Sequence, residues 1–365
     1  MMTAMNASPL AAITATPAWG LGPFTKLHAS NPVMEPGERQ RFACPFAGEV
    51  AWEAKDVFNP AAVVRDGRIH LLYRAEDRIG RFAGTSRIGL AVSTDGTTFT
   101  RDATPVLFPA RDGHEGYEWE GGCEDPRCVQ ADDGTYVLTY TAYDGTCARL
   151  FVATSPDLRT WTKHGSAFGP RHRDTWSKSG SILCRRVDEA LVAHRVNGVY
   201  WMYWGESDIF AATSTDLIRW TPVDSTNRGR PHQSAASDPV ACLRPVFSVR
   251  ARRFDSGLVE PGPPALWTER GIIFLYNAAN ALKGGGDRRL PEWTYAPGQV
   301  LLDPIDPTAV IARCEVPFMV PDQQYERSGQ IANVCFIEGL VPFRGKWWLY
   351  YGTADSRIAV ATAPL

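Results

Sequence analysis

Five glycine turns, each followed by a short strand-forming run, recur along this chain at a period that restricts the fold more than any other feature. The turn glycines are Gly67, Gly134, Gly198, Gly271 and Gly345, spaced 64 to 74 residues apart. The runs that follow them cover 69–74, 136–141, 200–204, 272–276 and 347–351. A second signal repeats in phase: Ser93-Thr94-Asp95, Ser155-Pro156-Asp157 and Ser214-Thr215-Asp216 precede Phe99, Trp161 and Trp220. Apolar or alternating runs divided by Gly, Pro, Asp and Asn read as strands and turns. Helical periodicity is almost absent. A fixed period of this length is the mark of a repeat architecture. Four strands fit one period and five periods fill the chain, which predicts an all-β, five-bladed β-propeller. Residues 1–40 read as an N-terminal arm and 41–365 as a single propeller domain. The last unit ends after Ile358-Ala359-Val360-Ala361, so a strand near 42–52 is expected to complete its sheet and close the ring.

Composition removes several functions. The 38 Lys+Arg and 40 Asp+Glu give a net charge of -2, whereas a phosphate-tracking nucleic-acid binder carries a basic surplus. Twelve Trp, 12 Tyr and 16 Phe are too many for a disordered chain, and most are expected between blades. No apolar stretch approaches the roughly 20 residues of a membrane-spanning helix. The first 25 residues lack the basic n-region of a secretory signal. A cytoplasmic location is therefore expected, with a signal peptide and the periplasm as the alternative. The eight cysteines form no CxxC pair and read as buried free thiols. No metal-ligand spacing and no phosphate loop occurs, so neither metal nor cofactor is expected.

In a propeller the innermost strands start at the central channel. The segments there are Phe58-Asn59-Pro60, Glu118 through Arg127, Trp176 through Gly180, Glu260 through Pro264 and Gly329 through Asn333, and the corresponding middle-strand ends add Arg74 through Asp77, Tyr143-Asp144, Trp204-Gly205-Glu206, Asn277 and Thr353-Ala354-Asp355. Acids flanked by Trp, Gly and Pro at such strand entrances are poorly solvated, and their pKa rises. Aromatic rings beside carboxylates suit sugars, and glycoside cleavage needs a proton donor and usually a second carboxylate. This selects Asp125, Glu206 and Glu260.

At these residues the sequence resembles glycoside hydrolase family 130. The matching stretches are Gly122-Cys123-Glu124-Asp125-Pro126-Arg127, Tyr140-Thr141-Ala142-Tyr143, Phe58-Asn59, Tyr73-Arg74, Gly262-Pro263-Pro264 and Tyr351-Gly352-Thr353-Ala354-Asp355. The resemblance implies a five-bladed propeller acting on β-mannosides, either as an inverting phosphorylase or as an inverting β-1,2-mannosidase. It implies that Asp125 is the general acid, acting through the mannose 3-hydroxyl. Glu206 and Glu260 resemble the water-activating acids of the mannosidase branch. Asn59, Arg74, Tyr117, Trp119 and Asp355 match positions lining the mannose pocket. Arg149 resembles a phosphate-binding arginine of the phosphorylases, and Lys178 is a second nearby cation. The competing expectation pairs both cations with Glu206 or Glu260. Two acids at the same place would repel a phosphate dianion by about 4 kcal/mol each at ~4 Å and an effective dielectric of about 20. The expected function is thus an inverting, exo-acting β-mannosidase for β-1,2-linked mannosides. A β-mannoside phosphorylase and a non-catalytic carbohydrate-binding propeller are the alternatives. The expected partner is a mannose-containing oligosaccharide. The loops 281–293 and 224–238 are candidates for a lid or a homo-oligomer contact.

Overall fold

The computed structural model describes residues 13–82, 84–224 and 242–365. Within them the chain is almost wholly β, in antiparallel meanders that follow the sequence period. The first meander is Asp56–Arg65, Arg68–Glu76, Ser86–Ser93 and Thr100–Arg101. The second is Gly122–Gln130, Tyr136–Tyr143, Ala148–Ser155 and Thr162–Ser166. The third centres on Val199–Trp204 and Asp208–Ser214, the fourth on Gly271–Ala279 and Gly298–Leu302. The fifth is Cys335–Phe343, Lys346–Thr353 and Arg357–Pro364. Among the described residues no helix is long and apolar enough to cross a membrane.

Local chemistry explains the repeat. Asp66-Gly67, Asn197-Gly198 and Arg344-Gly345 each carry two consecutive positive φ angles. Their hairpins close Arg65 on Arg68, Val196 on Val199 and Phe343 on Lys346. A two-residue loop of that hand matches the twist of the strands, and glycine takes its second position without a Cβ clash. In the Ser-x-Asp copies, the serine Oγ accepts the N–H of Gly96, Leu158 or Leu217. The aspartate Oδ1 accepts the next two N–H groups. Gly96, Leu158 and Leu217 are left-handed, with φ of 84°, 67° and 66°. The two leucines are buried, so packing offsets the strain. Asp303 forms a fourth such turn, to Ile305 and Asp306, without the serine that marks the others.

The aromatic residues after these turns join neighbouring meanders. Trp220 lies in a core cluster between the second and third, beside Phe168. Phe99 meets Tyr350 of the fifth edge-on at 5.8 Å. All eight cysteines are free, and six are buried.

The closing strand differs from expectation. Residues 42–50 form a separate hairpin, Phe42–Cys44 with Gly48–Val50. The strand that extends the fifth meander is Thr25–Lys26, paired antiparallel with Thr362 and Ala361. Its position is set by tertiary charge rather than by pattern. Lys26 Nζ reaches Asp322 at 2.6 Å, Glu326 at 2.7 Å and the Val320 carbonyl at 2.7 Å. Asn31 adds two bonds to the backbone of Val360.

Within the third meander, a hairpin of Cys184–Val187 and Ala190–Ala193 is inserted into the inner strand, between Ile182 and Arg195. It pairs with Gln130 of the second meander and Leu266 of the fourth, and Glu189 accepts the Arg344 N–H of the fifth. It therefore crosses the axis at the turn end of the inner strands. The loop 281–293 is pinned by Asn280, whose Nδ2 donates to the carbonyls of Asp287, Leu290 and Pro291. Of the loop 224–238, all but Asp224 lies outside the described residues.

Replacing Lys26 with Met should leave Glu326 buried without its counter-charge. Loss of one partner of a buried pair costs roughly 3–5 kcal/mol. Chemical denaturation should show a loss of that size, against less than about 0.5 kcal/mol for an exposed control such as Lys346→Met.

Candidate active site

Two inner strands, Asp56–Arg65 and Gly122–Gln130, carry a polar residue followed by proline at their fourth position, Asn59-Pro60 and Asp125-Pro126. Both polar residues have φ 47°, and the ladder slips beside them, between Phe58 and Pro60 and between Glu124 and Arg127. Such a bulge takes a residue out of the ladder and re-aims its side chain. Here it turns the two toward each other, and Asn59 Nδ2 donates to Asp125 Oδ1 at 2.9 Å.

Arg74, on the neighbouring strand Arg68–Glu76, collects the acids. Its Nη1 donates to Asp125 at 3.1 Å, and Nη2 donates to Glu76 at 2.7 Å and Glu124 at 2.9 Å. Its Nε donates to Ser86 Oγ at 2.9 Å, and the guanidinium lies 4.7 Å over the Phe58 ring. Ser86 is where the ladders of the first two meanders pair, opposite Gly122. A Cβ on Gly122 would overlap the Ser86 carbonyl, so glycine is what permits this approach.

Burial alone would raise Asp125. Arg74, Lys178 and Arg127 outweigh it and hold this carboxyl well below the usual range, helped by the Asn59 bond. Glu124 beside it goes the other way, raised by burial and by the charge of Asp125. Asp355, at φ 49°, is pushed up to about 7 by burial, which outweighs Arg74, and by the charges of Asp125 and Glu76. Around one guanidinium, Asp125 is thus held toward its ionised form, while Glu124 and Asp355 are pushed toward protonation.

A second group faces them. Lys178 Nζ lies 3.3 Å from Glu260 Oε1, and Ser179 Oγ donates to the same oxygen. Glu260 is 2% exposed. Burial raises its carboxyl, Lys178 opposes the rise and Glu206 adds to it. Glu206 accepts a 2.8 Å hydrogen bond from Trp176 Nε1. Lys178 remains charged despite burial because Glu260, Glu206, Asp125 and Glu124 all act on it. It therefore stands between the two acid groups.

Asp125, Glu206, Glu260, Asn59, Arg74, Lys178 and Asp355 are gathered here. Arg149 is engaged elsewhere. Its Nη1 donates to Asp144 at 2.6 Å, its Nε donates to Asp174 at 3.0 Å, and its guanidinium lies 5.3 Å over Tyr117. The expected pairing with Glu206 or Glu260 is therefore met by Lys178 and not by Arg149. The ladder sets Arg149 opposite Ala142, close to Asp144. Of the two expected pocket rings, Tyr117 lies 5.6 Å from Phe151 and Trp119 stacks on Phe46 at 4.7 Å, and both are half-buried. Tyr295 and Glu338 escape the sequence reading. The Tyr295 hydroxyl is pushed up by burial and then by the charge of Glu260. Glu338 is fully buried on the inner strand Cys335–Phe343; an acid inside an otherwise apolar run was its available signal. Among the described residues no cluster of three His, Cys, Asp or Glu side chains is arranged to hold a metal ion.

Asp355 gives a pH test. The folded chain keeps a proton on it that the unfolded chain releases near pH 4. Its contribution to stability therefore falls as pH rises from about 4 to about 7 and is level above that. Asp355→Asn cannot ionise, so its melting temperature relative to wild type should rise between about pH 5 and 7.5. A difference that stays constant over that range contradicts the assignment.

Residues 24–365 match the model of glycoside hydrolase family 130, described as beta-1,4-mannooligosaccharide phosphorylase. A 1,2-beta-oligomannan phosphorylase of Thermoanaerobacter is 32% identical over 322 residues, 86% of this chain and 91% of its own length. A glycosyl hydrolase from Bacteroides ovatus superposes with a TM-score of 0.89 at 46% identity, over 96% of this chain and 98% of that one. A second structure superposes with a TM-score of 0.89 at 44% identity, over 96% of each chain. It comes from work on glycoside hydrolases within the family that target beta-1,2 mannosidic linkages in Candida mannan. The chain belongs to glycoside hydrolase family 130, a family of glycoside-processing enzymes.

Proposed function

We propose that this chain is an inverting, exo-acting β-mannosidase that hydrolyses β-1,2-linked mannosides on a five-bladed propeller, each meander being one blade. The observation that carries hydrolysis over phosphorolysis is the pairing of both cations that could hold phosphate. Arg149 is neutralised by Asp144 and Asp174, and Lys178 by Glu260. A phosphate dianion would have to displace these acids. A water needs only an acceptor for its proton.

Glu260 suits that acceptor. Burial makes it more basic, and Lys178 favours its ionised form; a base tuned toward the working pH is the more effective one. Glu206, fixed by Trp176, orients the water and raises Glu260 further. Asp125 is the acid, passing its proton through the mannose 3-hydroxyl. Asp125 and Glu124 share Arg74, so they titrate as a pair. Burial and the charge of Asp125 favour the pair's proton on Glu124. A sugar hydroxyl that takes over the Asn59 or Arg74 bond brings it to Asp125. Asn59, Arg74 and Asp355 hold the mannose.

Similarity to the Thermoanaerobacter enzyme favours the second reading, a phosphorylase. Incubation with β-1,2-mannobiose, with and without phosphate, separates the two. Hydrolysis predicts free mannose at a rate independent of phosphate, released first as the α-anomer by NMR. Accumulation of mannose 1-phosphate would refute it. Asp125→Asn should lower kcat by about 10²–10⁴-fold. A wild type inactive on every mannoside would point instead to a carbohydrate-binding module.

A further inference from the structure

Beneath the two acid groups lies a buried contact between Arg127 and Glu338 that takes no part in the reaction described above. Arg127 is 1% exposed and sits two residues beyond Asp125 on the same strand. Its Nη1 donates to the Asp125 carbonyl at 2.9 Å. Its Nη2 donates to the Pro261 carbonyl at 2.8 Å, and its Nε donates to the Gly262 carbonyl at 3.3 Å. Pro261 directly follows Glu260. One guanidinium therefore grips the backbone at Asp125 and the backbone next to Glu260.

The ladders offer no other direct tie. Gly122–Gln130 pairs with Tyr136–Tyr143, whereas Leu258–Pro261 pairs with Gly271–Ala279. Asp125 is also left-handed, a conformation that a non-glycine residue keeps only when its surroundings enforce it. The Arg127 bond to its carbonyl is one such constraint.

Glu338 is the acid set against this guanidinium. Its Oε1 lies 2.9 Å from Arg127 Nη2. It sits where the fifth meander's ladder slips, between Ile337 and Gly339. Neither of its oxygens has an aligned hydrogen-bond donor, because Nη2 is aimed at Pro261. Burial pushes the Glu338 carboxyl well up against the pull of Arg127, so this carboxyl braces the guanidinium by close contact and not as a full counter-charge.

We propose that Arg127, held in place by Glu338, is a positioning residue that sets the separation of Asp125 and Glu260. This rests on their reading as acid and base. An inverting displacement needs the two carboxyls far enough apart to admit one water, and a misplacement of about 1 Å costs on the order of 10²-fold in rate. A planar guanidinium with a fixed fork is suited to holding such a gap. A lysine, with a point charge on a flexible stem, is not.

The test compares wild type, Arg127→Lys and Glu338→Gln on β-1,2-mannobiose and on an aryl β-mannoside whose leaving group needs little protonation, each with and without phosphate. Arg127→Lys should lose about 100-fold in kcat on mannobiose, with KM within about threefold. The loss should be smaller on the aryl mannoside, where the acid matters less. Glu338→Gln should lose about tenfold in the same pattern. Unchanged kcat in Arg127→Lys overturns the proposal. So does an equal loss on both substrates accompanied by a lower melting temperature, the mark of a purely structural pair. Should Arg127→Lys fail to fold, Glu338→Gln decides: wild-type kcat on mannobiose overturns the proposal, and the substrate-dependent loss sustains it. A wild type that cleaves neither substrate overturns the mannosidase reading and this one with it. An active wild type with unaffected variants overturns this one alone.

Discussion

An antiparallel meander leaves its outermost strand with unpaired N–H and C=O groups, and a succession of meanders leaves such an edge where the chain ends. Here that edge is Arg357–Pro364. It is covered by Thr25–Lys26 and by the bonds of Asn31 to Val360. Two residues of ladder are weak alone. The buried ion pairs of Lys26 with Asp322 and Glu326 supply the missing hold. Glu326 also accepts the hydroxyl of Tyr351, in the central strand of the fifth meander. The same charge that fastens the N-terminal segment is thus tied to the strand leading to Ala354 and Asp355. Closure and the position of one site carboxyl share a support.

What was legible depended on whether the cause was local. The hairpin turns could be read because Asp-Gly and Asn-Gly meet a steric demand that few other pairs meet. The Ser-x-Asp turns could be read because two side chains and three N–H groups suffice to make one. Asp303 makes the same turn without serine, and so passed unseen. The Thr25–Lys26 strand is too short for alternation to appear, and its place is decided by acids some 300 residues away in sequence. A hairpin at 42–50 satisfied the expectation of an early strand while serving another purpose.

The candidate site was legible where polarity and proline met at a strand entrance. Asn59-Pro60 and Asp125-Pro126 mark bulges that aim side chains inward. Partners were harder to read than positions. Arg149 and Lys178 are equivalent cations on paper, but register sends one to Asp144 and the other to Glu260. Tyr117 and Trp119 carry the right chemistry for a sugar and lie half-buried against Phe151 and Phe46. Glu338 lies inside an otherwise apolar strand, Cys335–Phe343. Its burial makes sense only once Arg127, from another meander, is placed beside it.

The hairpin inserted in the third meander carries one more consequence. It meets Gln130, Leu266 and the Arg344 turn, at the end of the inner strands remote from Asp125 and Glu260. At the near end, Trp176 is 50% exposed. The hairpin thus ties the second, fourth and fifth meanders together at one end of the inner strands, and the exposed Trp176 marks the opposite end, with Glu206 beside it, as the face that meets solvent.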